Sequence, residues 1–467
     1  MSAAPQKPFR SSGAEHDSET GRAMQGSHLD DARKTVAITE VAVDRLFDRY
    51  DYRLDFDPSL AILYGDNGTG KTTILRMIHN LLSPGPGRGH KTAVAKTNFK
   101  SFRIEFSNGA TVRAEREQAS VGSFELCLVL PSRKEHRAHF IVNDDGYIPR
   151  RGSAHSESQD DLVKLILQAI PLRSYYLSDD RTLDSDFIKE EEPNSRESLL
   201  TRYRYLAEAE KLSELADKPA RYPQLTPAMT RVAHWARQQA LQGASEGSVS
   251  ANSIYADVVK HLAFMPRKST SEGKSSTSRH QLLELIEVIG ERSRDQSRFG
   301  LLPAVNTGDL LQFLPKVRDE DFSLVSGILK PYLDGTAARL DALESTHRVL
   351  SFFVDTLNRF FKGKYVKFDI KSGLTIYTDA DNPLDAEALS SGESQLLTLF
   401  CNILSARESP TIFVIDEPEI SLNVKWQRAL VDALLGCAKE SEIQLILATH
   451  SIELLATHRE QVVRLKG

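Results

Sequence analysis

The stretch Gly65-Asp66-Asn67-Gly68-Thr69-Gly70-Lys71-Thr72 fits the pattern GxxxxGK[ST], and its flanks give that pattern chemical meaning. The apolar run Leu60–Tyr64 precedes it, and a helical pattern from Thr73 to Ile78 follows, so the glycine-rich turn joins a strand to a helix start. At such a start, free backbone N–H groups and the helix dipole both favour an anion. Residues Asn67 to Thr72 are therefore expected to cradle phosphates, with Asp66 and Thr73 at the margins of the cradle. Lys71 is placed to reach the β- and γ-phosphates of ATP, and Thr72 to ligate Mg²⁺. A plain glycine-rich turn is the simpler alternative; correct flanks on both sides weigh against it.

A second group of residues lies more than three hundred positions further on. Ile412-Phe413-Val414-Ile415 reads as a buried parallel strand that delivers Asp416 and Glu417 at its carboxyl end, the edge at which open α/β sheets bind ligands. Asp416 suits the coordination sphere of Mg²⁺, and Glu417 suits a general base for water attacking the γ-phosphate. A solvated strand end carrying two acids would look the same in isolation. Leu389-Ser390-Ser391-Gly392-Glu393 opens an apolar helix, either as a second phosphate-binding helix start or as an ordinary N-cap by Ser390 or Ser391. One P-loop subunit has no need of two γ-phosphate cradles, so this one is expected to serve a nucleotide on another copy of the chain. His450 follows the apolar strand Gln444–Ala448, where its imidazole can meet the γ-phosphate.

Taken together these motifs resemble the ABC-type ATPases, which carry Walker A, signature, Walker B, D-loop and switch histidine in this order. Within them the chain looks like the Rad50, SMC and overcoming-lysogenization-defect branch, because the signature sits far from Walker A and Walker B continues as EPEISLNVKWQRAL. The resemblance implies an α/β fold: a P-loop head with a mixed sheet and an antiparallel subsheet, plus a compact helical insertion. It also implies that Ser421, Leu422 and Asn423 form a D-loop at a dimer seam, Asn423 near the nucleotide. Ser391 stands where many relatives have glycine. No clear Q-loop glutamine occurs; Asp180 or Arg181 stands in for it, or the stretch is a solvated turn.

The composition narrows the class. Charged residues make up 26%, the formal charge is −5 and the pI is near 6.3, which argues against a globally basic nucleic-acid binder. Three scattered cysteines suit neither a disulfide framework nor a metal cluster, and no long apolar span or leader pattern occurs, so a cytoplasmic protein with no membrane contact is expected. Residues 1–35, polar and charged, read as a disordered tail. Residues 36–189 and 363–467 form the expected head and 190–362 the insertion. Hairpins are predicted around Ser107-Asn108-Gly109 and Ser372-Gly373. In the insertion Leu282, Leu285, Ile286 and Ile289 are helically spaced without sustained heptads, and Arg292, Arg294 and Arg298 form its most basic cluster, either a solvated helix end or a surface for an acidic partner or nucleic acid.

Only about seventeen residues follow His450, too few for the TOPRIM nuclease that many of these relatives carry. The resemblance therefore extends to ATPase subunits of bacterial anti-phage systems, above all that of PARIS, with the Septu ATPase next. It implies a homodimer or higher homo-oligomer, a separate effector of the TOPRIM nuclease type, and a phage-encoded trigger. A Rad50/SMC-like DNA-clamping or repair ATPase is the alternative, and a transporter ATPase a distant third.

Overall fold

The computed structural model describes residues 36–84, 89–117, 119–148, 156–179, 183–185, 224–243 and 278–466. The expected tail of residues 1–35 lies outside them, as do 190–223 and 244–277 of the expected insertion. The central sheet has the order β15 (Val462–Arg464), β3 (Leu60–Tyr64), β14 (Ile443–Thr449), β13 (Thr411–Asp416), β8 (Arg173–Leu177), β9 (Leu183–Ser185). Neighbours are parallel from β15 to β8, and β9 closes the edge antiparallel to β8. The sheet is therefore mixed.

Its middle strands are continuous apolar runs because both faces are covered. Phe413, Ile415, Leu445, Leu447, Leu60 and Ile62 enter one core, while Ile412, Val414, Ile446, Ala448, Ala61 and Leu63 enter another on the opposite face. The second core is shared with an antiparallel sheet of order β2 (Tyr50–Asp55), β1 (Ile38–Leu46), β4 (Ser101–Phe106), β5 (Thr111–Glu115), β6 (Phe124–Val129), β7 (Glu135–Phe140). Strand β4 alternates cleanly, burying Phe102, Ile104 and Phe106, and the β4–β5 turn places Gly109 at φ 82°. Buried Gln444 ties the two sheets together: its Oε1 accepts from Ile38 N at 2.8 Å, and its Nε2 donates to Ile38 O at 2.8 Å and Asp57 O at 2.9 Å.

The first core receives the helix Ser391–Ser405 and the small antiparallel sheet β10 (Lys364–Asp369), β11 (Gly373–Thr378), β12 (Pro383–Leu384), with Gly373 at φ 76° in the predicted hairpin. It also receives the carboxyl half of Asp319–Phe360, a single helix of 42 residues and so about 63 Å long. The apolar spacing of the insertion sustains no heptads, so no element of this length is expected from the sequence; Pro331 lies within the helix. Its amino-terminal half is held by burial: Leu333 and Leu340 share a third core with Leu282, Ile286 and Ile289 of the helix Arg279–Ser297. Arg292 pairs across this contact with Asp341 at 2.8 Å and Glu344 at 3.3 Å, and Arg298 pairs with Asp355 at 3.3 Å. Two of the three clustered arginines thus already face carboxylates of the same chain.

Candidate nucleotide site

The P-loop leaves β3 and enters the helix Lys71–Leu82, whose N-cap is Gly70 at φ 93°. Only glycine suits that position: a Cβ there would meet Leu46 Cδ2 at 2.6 Å, in a backbone conformation that L side chains rarely adopt. Tyr52 on β2 anchors the loop by donating to Thr69 O at 3.0 Å. Asp66, Asn67 and Gly68 are exposed, and Thr69 is buried. Lys71 is buried and donates through Nζ to Gly65 O at 2.8 Å and Asp66 O at 3.2 Å, so its charge is held at the mouth of the loop. Thr72 and Thr73 are half-buried in the first helical turn.

Across the sheet, β13 brings Asp416 to Thr72. Thr72 Oγ1 donates to Asp416 Oδ1 at 3.2 Å. Two adjacent oxygens of an octahedral Mg²⁺ with bonds of about 2.1 Å lie about 3.0 Å apart, so this pair fits a hard divalent ion at the phosphate mouth. Asp416 is 2% exposed, and burial raises its pKa against hydrogen bonds from Thr72 and Tyr176 that lower it. Tyr176 on β8 donates to Asp416 Oδ2 at 3.2 Å and accepts from Arg76 Nε at 3.1 Å, and Arg76 also faces Asp179 at 3.8 Å. Burial is the main reason that the Tyr176 phenol stays protonated well above its ordinary range.

Glu417 is next along the chain, with φ 47° and its N–H donating to Ala448 O at 2.9 Å. His450 Nδ1 lies 2.5 Å from Glu417 Oε2 and 3.6 Å from Glu419 Oε1. Burial, with the Glu419 carboxylate beside it, lifts the Glu417 carboxyl to about 7, against the opposing pull of His450. Glu419, 5% exposed, organises the turn that carries the histidine: Oε1 accepts from Thr449 Oγ1, from His450 N at 3.2 Å and from Ser451 N at 3.1 Å. Gln427 couples this turn to Ser421-Leu422-Asn423, accepting from Ser451 Oγ at 2.9 Å and donating to Leu422 O at 2.9 Å.

The Ser390–Glu393 segment forms the ordinary cap that one reading of the sequence allows. Ser390 Oγ accepts from Glu393 N at 3.3 Å while Glu393 Oε2 accepts from Ser390 N at 2.7 Å, a reciprocal capping box. Glu393 also pairs with Lys364 at 2.9 Å. Ser391 is the first helical residue, and a Cβ on Gly392 would come within 2.6 Å of Ser421 O, so this glycine is needed for contact with the loop before the next helix. Asn423 caps that helix, Val424–Ala438, by accepting from Trp426 N at 3.1 Å. Among the described residues, no hydrogen bond or ion pair joins Ser390–Glu393 or Asn423 to the P-loop. Two clusters result, Lys71/Thr72/Asp416 with Glu417/His450, and Ser390/Gly392 with Ser421/Asn423.

Sequence reasoning does not find Tyr176, Arg76, Glu419 or Gln427. Glu419 carries the only signal, a third acid two residues past Glu417; the others depend on the register of distant strands. Asp180 and Arg181 lie outside the described residues, and the nearby side chain that reaches Asp416 is Tyr176.

Residues 45–227 match the family model "AAA domain", and residues 245–456 match "AAA domain, putative AbiEii toxin, Type IV TA system". Each match covers less than half of the chain, and the two meet within the helical middle. A 91-residue stretch is 33% identical to the DNA replication and repair protein RecF of Haemophilus influenzae strain 86-028NP, and 32% identical to that of strain ATCC 51907. Each match covers 20% of this chain and 24% of the relative, so the chain spans about a quarter of the length of these curated proteins. Solved structures that align over 92% of the chain include the Pyrococcus furiosus Smc head domain bound to the C-terminal domain of ScpA (14% identity, 95% of that chain, TM-score 0.36) and the Pyrococcus yayanosii Smc head domain with a coiled coil and joint (16%, 96%, TM-score 0.33). Among the described residues no helix is long and apolar enough to cross a membrane.

Proposed function

We propose that this chain is an ATP-hydrolysing switch that uses a composite site shared by two copies, and that it serves bacterial anti-phage defence by holding or releasing a separate TOPRIM-type nuclease when a phage product is sensed. The observation that carries the ATPase reading is the 3.2 Å approach of Thr72 Oγ1 to Asp416 Oδ1 beside the buried Lys71. Mg²⁺ held there would supply neutralisation of phosphate charge. Asn67–Thr72 position the phosphates through backbone N–H groups, and Lys71 swings from its loop carbonyls to the phosphate oxygens. Glu417 takes the proton of the attacking water, and His450 is near enough to orient that carboxylate. Ser390, Gly392 and Asn423 serve the second copy's nucleotide. The defence assignment draws on motif order and on the toxin-system wording of the second family model.

The RecF similarity favours a second reading, a DNA-repair ATPase that closes on DNA. Salt-sensitive DNA binding confined to the ATP state would select it; nucleotide-dependent affinity for a nuclease partner selects the switch. The chemistry itself is tested by Glu417→Gln. This variant should bind ATP as the wild type does and hydrolyse it about a hundredfold to ten-thousandfold more slowly, whereas Lys71→Ala should lose nucleotide binding. Equilibrium ATP binding beside steady-state phosphate release separates the two, and wild-type turnover in Glu417→Gln would remove it from the base role.

A further inference from the structure

Behind the P-loop helix, away from the phosphate mouth, three side chains converge that the nucleotide chemistry does not use. His79 stands near the end of that helix, His90 begins the helix His90–Lys96, and Asp184 lies on β9. Both imidazoles are buried, at 2% and 5% exposure. Each of the three residues offers a ligand atom within 4.8 Å of the other two. Pairs of oxygens support the rings from behind: His90 Nδ1 donates to Asn80 Oδ1 at 2.8 Å, and His79 Nδ1 lies 2.9 Å from Ser174 Oγ. His79 Nε2 lies 3.6 Å from Asp184 Oδ2 and 3.4 Å from Ser83 Oγ, a contact that the ion would replace. Fixing a histidine by its far nitrogen is the usual outer support of a metal ligand.

We propose that His79, His90 and Asp184 bind one borderline divalent transition ion of the Zn²⁺ class. Two imidazoles and one carboxylate suit that class, whereas Mg²⁺ and Ca²⁺ prefer all-oxygen sets. Tetrahedral bonds of about 2.0–2.1 Å put ligand atoms about 3.3 Å apart, so the observed 3.6 Å edge is nearly at bonding geometry. Asp184 is 45% exposed on its side chain, which gives the ion an entry path and water a fourth position. The ion would staple three segments of the chain: the end of the P-loop helix, the helix after it, and the strand at the sheet edge. His79 also stacks on Tyr176, with ring centroids 5.7 Å apart, and Tyr176 bonds to Asp416; the staple therefore backs the tyrosine that touches the Mg²⁺ carboxylate.

The test uses the full chain, stripped with chelator and then loaded with Zn²⁺ alone or Co²⁺ alone, without nucleotide. Wild-type protein should retain about one ion per chain that survives desalting, show the visible bands of tetrahedral Co²⁺, and gain several degrees in Tm with Zn²⁺. Asp184→Asn and His90→Gln should each weaken Zn²⁺ binding by about a hundredfold or more and lose the Tm gain, with metal-free melting showing whether each variant folds. His450→Ala should keep the ion, because His450, Glu417 and Glu419 form the other grouping of potential ligands. The site is overturned if wild-type protein retains no ion, if both ligand variants retain it, or if only His450→Ala removes it.

Discussion

Glu417 adopts a left-handed backbone, φ 47°, directly before Pro418, a conformation that costs on the order of 1–3 kcal/mol outside glycine. The bond from its N–H to Ala448 O and the Glu419-ordered turn opposite hold it there, with its carboxylate against His450. Burial and the adjacent Glu419 lift that carboxyl to about 7 from an ordinary 4.5. A folded-state value above the unfolded one means that the native protein binds the proton more tightly. The group's contribution is therefore most favourable below the unfolded value and is lost as pH rises through about 7. Glu417→Gln, which keeps the shape without the charge, should accordingly melt above wild type at pH 8 in the absence of nucleotide and Mg²⁺, and the difference should shrink by pH 5. Melts at the two pH values check this, and an equal difference at both would remove burial of charge as its cause.

At the scale of elements, the phosphate mouth and the capped signature helix are separate clusters, and the two-copy proposal assigns them to opposite sides of one nucleotide. Mixing a Lys71→Ala chain with a Ser390→Arg chain should then restore part of the ATPase activity that each lacks alone, because a mixed pair keeps one complete site; inactivity despite demonstrated subunit exchange would count against it. Gln444 offers a purely structural counterpart. Gln444→Ala strands the N–H and carbonyl of Ile38 and the carbonyl of Asp57 in the seam between sheets, and should cost about 2–4 kcal/mol in denaturant unfolding with little change in nucleotide affinity. The sequence reveals elements whose signals are local: the P-loop between β3 and its helix, β13 with its two terminal acids, and the hairpins around Gly109 and Gly373. It does not reveal Tyr176 against Asp416 or Gln444 against Ile38, because those contacts depend on strands paired across hundreds of residues. Nor does it reveal the 42-residue helix, because the insertion shows no sustained heptads and the helix is held by burial of Leu333 and Leu340 against a separate helix.

For the whole molecule, the proposal divides labour between chains. The purified protein alone should hydrolyse ATP yet leave plasmid DNA and tRNA intact with Mg²⁺ present, and its affinity for a nuclease partner should change with nucleotide state, since ATP can drive release only through such a difference. Incubating each nucleic acid with the lone chain and with the complex decides the matter; metal-dependent cleavage by the lone chain, retained in Glu417→Gln, would reverse the assignment. The sheet order bears on how the protein is made. Among the described residues, strand β3 pairs with β14 and β15, which begin at Ile443 and Val462. During translation at about 5–20 residues per second, the P-loop strand therefore waits roughly 20–75 s for its first neighbour. Over that interval a wholly apolar strand has two open edges, an invitation to chaperones and to aggregation. Nascent chains stalled before Ile443 should lack a stable ATP pocket, so that nucleotide competence arrives late and all at once.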